Sequence, residues 1–217
     1  MGKDKLRKFT EIGNFENVYE LEQGLVNKGK WAKKHFKNDK PIVLELACGK
    51  GEYSVNMARA FPDTNFIGID YKGNRIWRGA KTALEESVNN VAFLRIQIED
   101  ILLYFDPDEI SEIWITFPDP QPQVGREKKR LTSDRFLDTY QVLLKDGGFM
   151  NLKTDNDVLY QYTLEKIAER GDGMILKSPD LYNSAILDET LSIKTYYEKK
   201  YLLVNKNINY VKWRFRK

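Results

Sequence analysis

Ile42-Val-Leu-Glu-Leu-Ala-Cys-Gly-Lys-Gly51 is a short apolar run, interrupted by one acid, that empties into a turn of small residues. Bounded this way and followed by an amphipathic segment from Glu52 to Ala60, it reads as a buried strand turning into a helix. The alternation then repeats. Asn65 to Asp70, Val91 to Ile96, Glu112 to Thr116, Gly147 to Lys153 and Gly173 to Lys177 read as strands, separated by helical patterns near residues 74–87, 99–105, 133–144 and 157–170. Strands alternating with helices are the signature of βαβ units, so the expected fold is α/β with a doubly wound, mostly parallel sheet. The tail Asn209 to Lys217 alternates Val211, Trp213 and Phe215 with Lys212, Arg214 and Arg216. Period two makes it a seventh strand, one face aromatic and inward, the other basic and in water.

Before Pro41 the pattern is different. Leu21 to Phe36 reads as an amphipathic helix with a Lys-rich face, and Met1 to Phe9 as a mobile terminus. The expected division is a basic extension and helix over residues 1–40, then the α/β domain over 41–217.

A chain of 217 residues with 41% hydrophobic content can bury one real core. No apolar run approaches a membrane span, and the basic start lacks the apolar centre of a signal peptide. The single Cys forbids an internal disulfide and, with a single His, a Cys/His metal cluster; the expected location is the cytoplasm. The net charge of +3 is unevenly spread. Residues 1–40 carry ten Lys/Arg against six Asp/Glu, residues 199–217 seven against none, and the middle eighteen against twenty-six. Within that acidic middle, Arg126-Glu-Lys-Lys-Arg130 is a local reversal. Basic ends and a basic loop on an acidic body suit a polyanion such as nucleic acid, although solvated surface charge is the plainer reading.

Two places carry chemistry. The first is the turn after Leu46, where Ala47, Gly49 and Gly51 let a ligand approach the backbone. Glu45 enters that turn: beside a pyrophosphate it would be costly, beside the ammonium and sulfonium of S-adenosylmethionine helpful. Asp70 ends the next strand, 21 positions after Gly49, where a carboxylate accepts from both hydroxyls of an adenosine ribose. NAD uses the same acid, and Gly49-Lys-Gly51-Glu-Tyr-Ser54 is a loose dinucleotide fingerprint, so an NAD-binding oxidoreductase stays open beside the favoured methyltransferase. The second place is Ile115-Thr-Phe-Pro-Asp-Pro120. Two prolines stiffen the backbone around Asp119 at the carboxyl end of a strand; an ordinary Pro/Asp turn is the alternative.

Taken together, Glu45 to Gly51, Gly68-Ile-Asp70, Phe117-Pro-Asp-Pro120, Lys128-Lys-Arg-Leu131, Leu152-Lys-Thr-Asp-Asn156 and Thr195-Tyr-Tyr-Glu198 resemble the bacterial tRNA (guanine-N7)-methyltransferases over residues 41–201. The resemblance implies a Rossmann-like, seven-stranded class I methyltransferase fold with an antiparallel C-terminal hairpin. It implies S-adenosylmethionine as cofactor, tRNA as partner and N7 of guanosine 46 in the variable loop as the methyl acceptor. It assigns cofactor contacts to Glu45, Gly49, Gly51, Asp70, Gln97 and Asp119, catalysis to Asp119, and substrate contacts to Gln123, Asp155, Thr195 and Glu198. Methylation of another substrate is the alternative within enzymes. Plainer roles also exist: Lys153 to Asn156 and Thr195-x-x-Glu198 both have the form of helix caps.

Three departures from the family pattern matter. Ala47 replaces a glycine, so the turn there either avoids positive φ or accepts strain. Gln97 stands where the family has an acid, with Glu99 and Asp100 close by. Gln121-Pro-Gln-Val-Gly125 replaces the stretch with the substrate-binding lysine, leaving Gln123 at its position and Arg126, Lys128, Lys129 and Arg130 to supply charge. The oligomeric state, monomer or homodimer, is open.

Overall fold

The apolar runs form strands, and the computed structural model, which describes residues 3–216, joins eight of them into one sheet. Seven are those expected from periodicity: Ile42–Leu46 (β2), Asn65–Ile69 (β3), Val91–Arg95 (β4), Ile110–Thr116 (β5), Leu144–Thr154 (β6), Gly173–Ser178 (β7) and Asn209–Arg214 (β8). The eighth, Val18–Glu20 (β1), comes from the N-terminal segment and pairs in parallel with β4. The order is β1-β4-β3-β2-β5-β6-β8-β7, with only β8 antiparallel to its neighbours. From β2 the chain winds outward through β3 and β4 on one side and through β5 and β6 on the other. The order therefore reverses between β2 and β5, where open α/β sheets leave a ligand-binding crevice at the carboxyl edge.

Helices cover both faces. Lys3–Ile12 (α1), Glu52–Ala60 (α4) and Gly73–Glu85 (α5) contribute to one apolar layer, and Asp134–Leu143 (α6) and Asp157–Arg170 (α7) to the other. Alternation along β2 sends Ile42, Leu44 and Leu46 into the layer of Trp31, Tyr140 and Trp213, and Val43 into that of Tyr53 and Ile76. Glu45 shares the parity of Val43, so its carboxylate turns toward α4 and is buried. The tail alternates as expected: Val211, Trp213 and Phe215 are buried while Arg214 and Arg216 are exposed.

The N-terminal segment differs from its sequence reading. Leu21 to Phe36 is not one helix but two short ones, Glu22–Leu25 (α2) and Trp31–Lys34 (α3), separated by a turn through Gly29 at φ 67°. Lys3 to Phe9 is helical, not a loose end, because the apolar side of α1 finds a partner in α5. Ile12 is fully buried, and Trp77 Nε1 donates to Glu11 at 2.6 Å. Met1, Gly2 and Lys217 lie outside the described residues. Among the described residues no helix is long and apolar enough to cross a membrane.

Candidate active site

The turn after β2 is built around a buried acid. Glu45 is 4% exposed; its Oε2 accepts from the Ser54 backbone N–H and hydroxyl, and its Oε1 from the Thr116 hydroxyl. Burial pushes its carboxyl up to about 7, against the hydrogen bonds that lower it. None of its hydrogen-bond partners is a cation, and it lines a cavity walled by Ala47, Gly49, Arg75, Phe117, Thr195 and Tyr197. A buried carboxylate without a counter-cation beside open space is a receptor for a cationic group. The Glu45 end of the cavity suits the ammonium of S-adenosylmethionine and disfavours a pyrophosphate, while Lys50 and Arg75 in the same wall can meet an anionic group such as the amino-acid carboxylate.

Ala47 accepts the strain its position threatened, at φ 56°, a conformation costing about 1–2 kcal/mol for a residue with a Cβ. Gly49, also at φ 56°, leaves open space where a side chain would stand, its nearest neighbour there being the Ala47 carbonyl at 4.0 Å. Asp70 ties this turn to α5: Oδ2 accepts from the Gly49 N–H at 3.0 Å and Oδ1 from the Lys72 N–H at 2.8 Å. Each oxygen keeps a further lone pair, although Asp70 is nearly buried and lines neither cavity of the site. Gln97, after β4, is exposed and also lines neither; nearby Glu99 pairs with Arg135 at 3.5 Å.

The Phe-Pro-Asp-Pro turn leaves β5 on the other side of the crevice. Phe117 is at φ 48° and Gln121 at φ 44°, so Asp119 lies between two strained residues, the kind of clustering found at working sites. Asp119 is exposed; its Oδ1 accepts from the Gln121 N–H at 3.2 Å. It lines a second cavity with Lys72, Arg75, Phe117, Asp155, Tyr197 and Tyr201. Asp155 thus lines the same cavity as Asp119 and is held by Lys206 at 2.6 Å. In the following turn it is Asn156, not Asp155, that caps α7, by accepting from the Leu159 N–H at 2.8 Å.

Thr195 and Glu198 separate. Both form the capping box of Tyr196–Leu203 (α8), and Thr195 lines the first cavity. Glu198 is fully buried, with Oε1 taking Lys153 Nζ at 2.6 Å and the Tyr182 hydroxyl at 2.7 Å, and Oε2 the Thr195 N–H at 3.1 Å. Its carboxylate does not reach the cavity, because Lys153 of β6 needs a counter-charge in the core. Burial pulls the Lys153 ammonium down from its ordinary range, while Glu198 opposes that change. Lys153 Nζ also donates to the Leu191 and Ile193 carbonyls at 2.9 and 3.1 Å, which anchors the segment before Thr195. Gln123 is exposed and outside both cavities. Arg126, Lys128 and Lys129 are exposed, but Arg130 is not a surface charge: it is 8% exposed, lies 4.4 Å over the Tyr162 ring and donates through Nε to the Gln121 carbonyl at 3.3 Å.

The sequence reading missed Ser54, Thr116, Arg75, Phe117 and Tyr197 as site residues. Thr116 had a signal, since it sits where β5 ends beside β2; nothing local distinguishes Arg75 from other helix-surface cations.

Strand order, a reversal-point cavity suited to a cation and a rigid acid beside it define a Rossmann-like class I methyltransferase. Solved structures share the fold: a 16S rRNA methyltransferase, KamB, superposes at TM-score 0.63 with 13% identity, covering 87% of this chain and 93% of its own. An antibiotic-related methyltransferase gives 0.61 with 14% identity, covering 85% and 91%. A family profile described as "Putative methyltransferase" matches residues 39–210. The tRNA (guanine-N(7)-)-methyltransferase of Christiangramia forsetii is 50% identical, covering 99% of both chains. That of Bacteroides fragilis is 46% identical over 98% of this chain and 86% of its own. The chain belongs to the tRNA (guanine-N7)-methyltransferase family.

Proposed function

We propose that the protein transfers the methyl group of S-adenosylmethionine to N7 of a guanosine in tRNA, the expected nucleotide being position 46 of the variable loop. The observation that carries this reading is that the Glu45 cavity and the Asp119–Asp155 cavity share Arg75, Phe117 and Tyr197 in their walls. A cationic methyl donor in one and a guanine in the other meet across a common boundary.

Guanine N7 is an unprotonated acceptor, so no base has to create the nucleophile. Bound S-adenosylmethionine supplies a methyl carbon on a sulfonium: the N7–carbon bond forms as the carbon–sulfur bond breaks, leaving S-adenosylhomocysteine and a cationic 7-methylguanine. The protein aligns the two, an effect worth several kcal/mol. Glu45 would hold the ammonium, Asp70 would accept from the ribose hydroxyls past the N–H groups it already binds, and Gln97 would offer an amide to the adenine edge, the last two from outside the two cavities. Asp119 borders the cofactor, accepts from guanine N–H groups and opposes the positive charge growing on the ring. Asp155 completes the guanosine pocket, Thr195 meets the guanosine from the wall of the neighbouring Glu45 cavity, and Gln123, outside both cavities, contacts the RNA beyond the base. Glu198 serves the substrate from behind, by fixing Thr195.

The test is to incubate the protein with tritiated S-adenosylmethionine and unmodified tRNA, then map the label by nuclease digestion. Label in 7-methylguanosine at one position is the expected result. Tight S-adenosylhomocysteine binding with no label in tRNA would remove the substrate assignment, and selective NAD binding would remove the reaction class.

A further inference from the structure

α5 starts beside the active site and leads away from it. Lys72, Arg75 and Arg78 recur along its outer side at three-residue intervals, about 4.5 Å of axial rise per step. Arg75 and Arg78 are exposed, and their side chains make no hydrogen bond or ion pair among the described residues. The Lys72 ammonium lies 5.0 Å from the Tyr71 ring centre and makes no hydrogen bond or ion pair among the described residues. Neighbouring cations are committed: Arg7 and Lys8 pair with Asp4, Arg95 with Glu20, and Lys81 with Glu85. α5 has no acid in its first turn and none before its last residue, Glu85. Solvated helix faces normally mix signs. This one presents uncompensated positive charge within a span that is otherwise net acidic.

Its position matters as much as its sign. Lys72 and Arg75 line the cavity of Asp119 and Asp155, and Arg78 stands one further step along the helix. A second basic group, Arg126, Lys128 and Lys129, whose side chains make no ion pair among the described residues, follows β5. Because β3 and β5 flank β2 on opposite sides, the segments after them leave the carboxyl edge on opposite sides of the crevice. A nucleotide entering the cavity must carry its backbone away in both directions.

We propose that Lys72, Arg75 and Arg78 bind RNA phosphates on one side of the target nucleotide, with Arg126, Lys128 and Lys129 holding those on the other. The proposal builds on the tRNA reading above and extends it to a surface that neither the basic termini nor the 126–130 loop suggests.

The experiment compares the wild type with Arg75→Ala/Arg78→Ala, two exposed positions where alanine favours the helix. tRNA binding is measured without turnover across a range of salt, beside S-adenosylhomocysteine binding by calorimetry and a melting curve. The expected variant melts like the wild type and binds tRNA about tenfold more weakly, and the S-adenosylhomocysteine measurement separates that loss from any effect of Arg75 on the cofactor cavity it also lines. Its slope of log affinity against log salt is shallower by roughly 1.5, the loss of about two phosphate contacts. Unchanged tRNA affinity and slope would overturn the proposal. So would weakened cofactor binding with an unchanged slope, which places Arg75 in the cofactor cavity alone, and so would a wild type that does not bind tRNA. A wild type that binds tRNA with the expected salt slope but does not methylate it would count against the proposed function and not against this surface.

Discussion

Glu45 makes the site's requirement measurable, because its proton is held more tightly folded than unfolded. Its carboxyl rises from an ordinary 4.5 to about 7, with burial the main cause. The stability this gives is whole below about pH 4.5 and is lost as pH rises through 7, roughly 3 kcal/mol by pH 8. Glu45→Gln is therefore expected to melt above the cofactor-free wild type at pH 8 and close to it at pH 5. Binding runs the opposite way: S-adenosylhomocysteine affinity of the wild type should rise from pH 6 to 8, as the ionised carboxylate meets the ammonium, and be weak and flat in the variant. A variant that melts lower at pH 8 would mean that ionised Glu45 already has a stabilising partner. Asp119 presents the complementary case, an exposed acid whose loss should leave folding intact. Asp119→Ala is expected to lower kcat by about 10²–10³ and leave S-adenosylhomocysteine binding measurable. Near-normal turnover would refute its proposed role.

At the scale of elements, the turn after β5 is strained and must be held. Phe117 donates its N–H to the Lys153 carbonyl at 2.8 Å, and Arg130 binds the Gln121 carbonyl from its place over Tyr162. Lysine keeps the charge but not the planar group that stacks. Arg130→Lys should thus cost roughly tenfold in kcat, an alignment loss, with cofactor affinity and the salt slope of tRNA binding unchanged. Arg126→Ala should instead flatten that slope by about 0.7–0.9; a flattened slope in Arg130→Lys would restore Arg130 as a phosphate ligand. The contrast marks what the sequence made legible. β2 to β8 could be read because apolar periodicity survives whatever packs on it. The direction of a charged side chain could not: Arg130 sits in a run of exposed cations yet turns inward to an aromatic ring on α7. Thr195-x-x-Glu198 announces a helix cap, but the lysine that buries the glutamate lies 45 positions earlier in β6. β1 escaped because three residues are too few to establish a period, and the 21–36 helix failed because Gly29 bends it at a positive φ.

For the whole molecule, the question is whether residues 1–40 form an appendage to the domain at 41–217. Three contacts weigh on it. β1 covers the edge of β4, with the Phe93 N–H donating to the Asn17 carbonyl at 2.8 Å. α1 packs on α5, the helix that carries the cation row. Trp31 is fully buried, stacked on the Phe105 ring at 5.6 Å, its indole N–H donating to the Tyr104 carbonyl at 2.9 Å. Removing a buried tryptophan costs about 3–5 kcal/mol on its own, against a typical domain stability of about 5–15 kcal/mol. Losing the strand as well leaves β4 as a bare edge, open to pairing with other chains. We therefore expect the 41–217 fragment to aggregate or to lack a cooperative melting transition, and Trp31→Ala in the full chain to melt cooperatively at a clearly lower temperature. Calorimetry of the three proteins decides the matter. A fragment that melts cooperatively within a few degrees of the full chain and binds S-adenosylhomocysteine would make the extension an appendage. The expected result would instead make residues 1–40 part of the sheet, and would place the support of the α5 cation row in the segment that precedes the first βαβ unit.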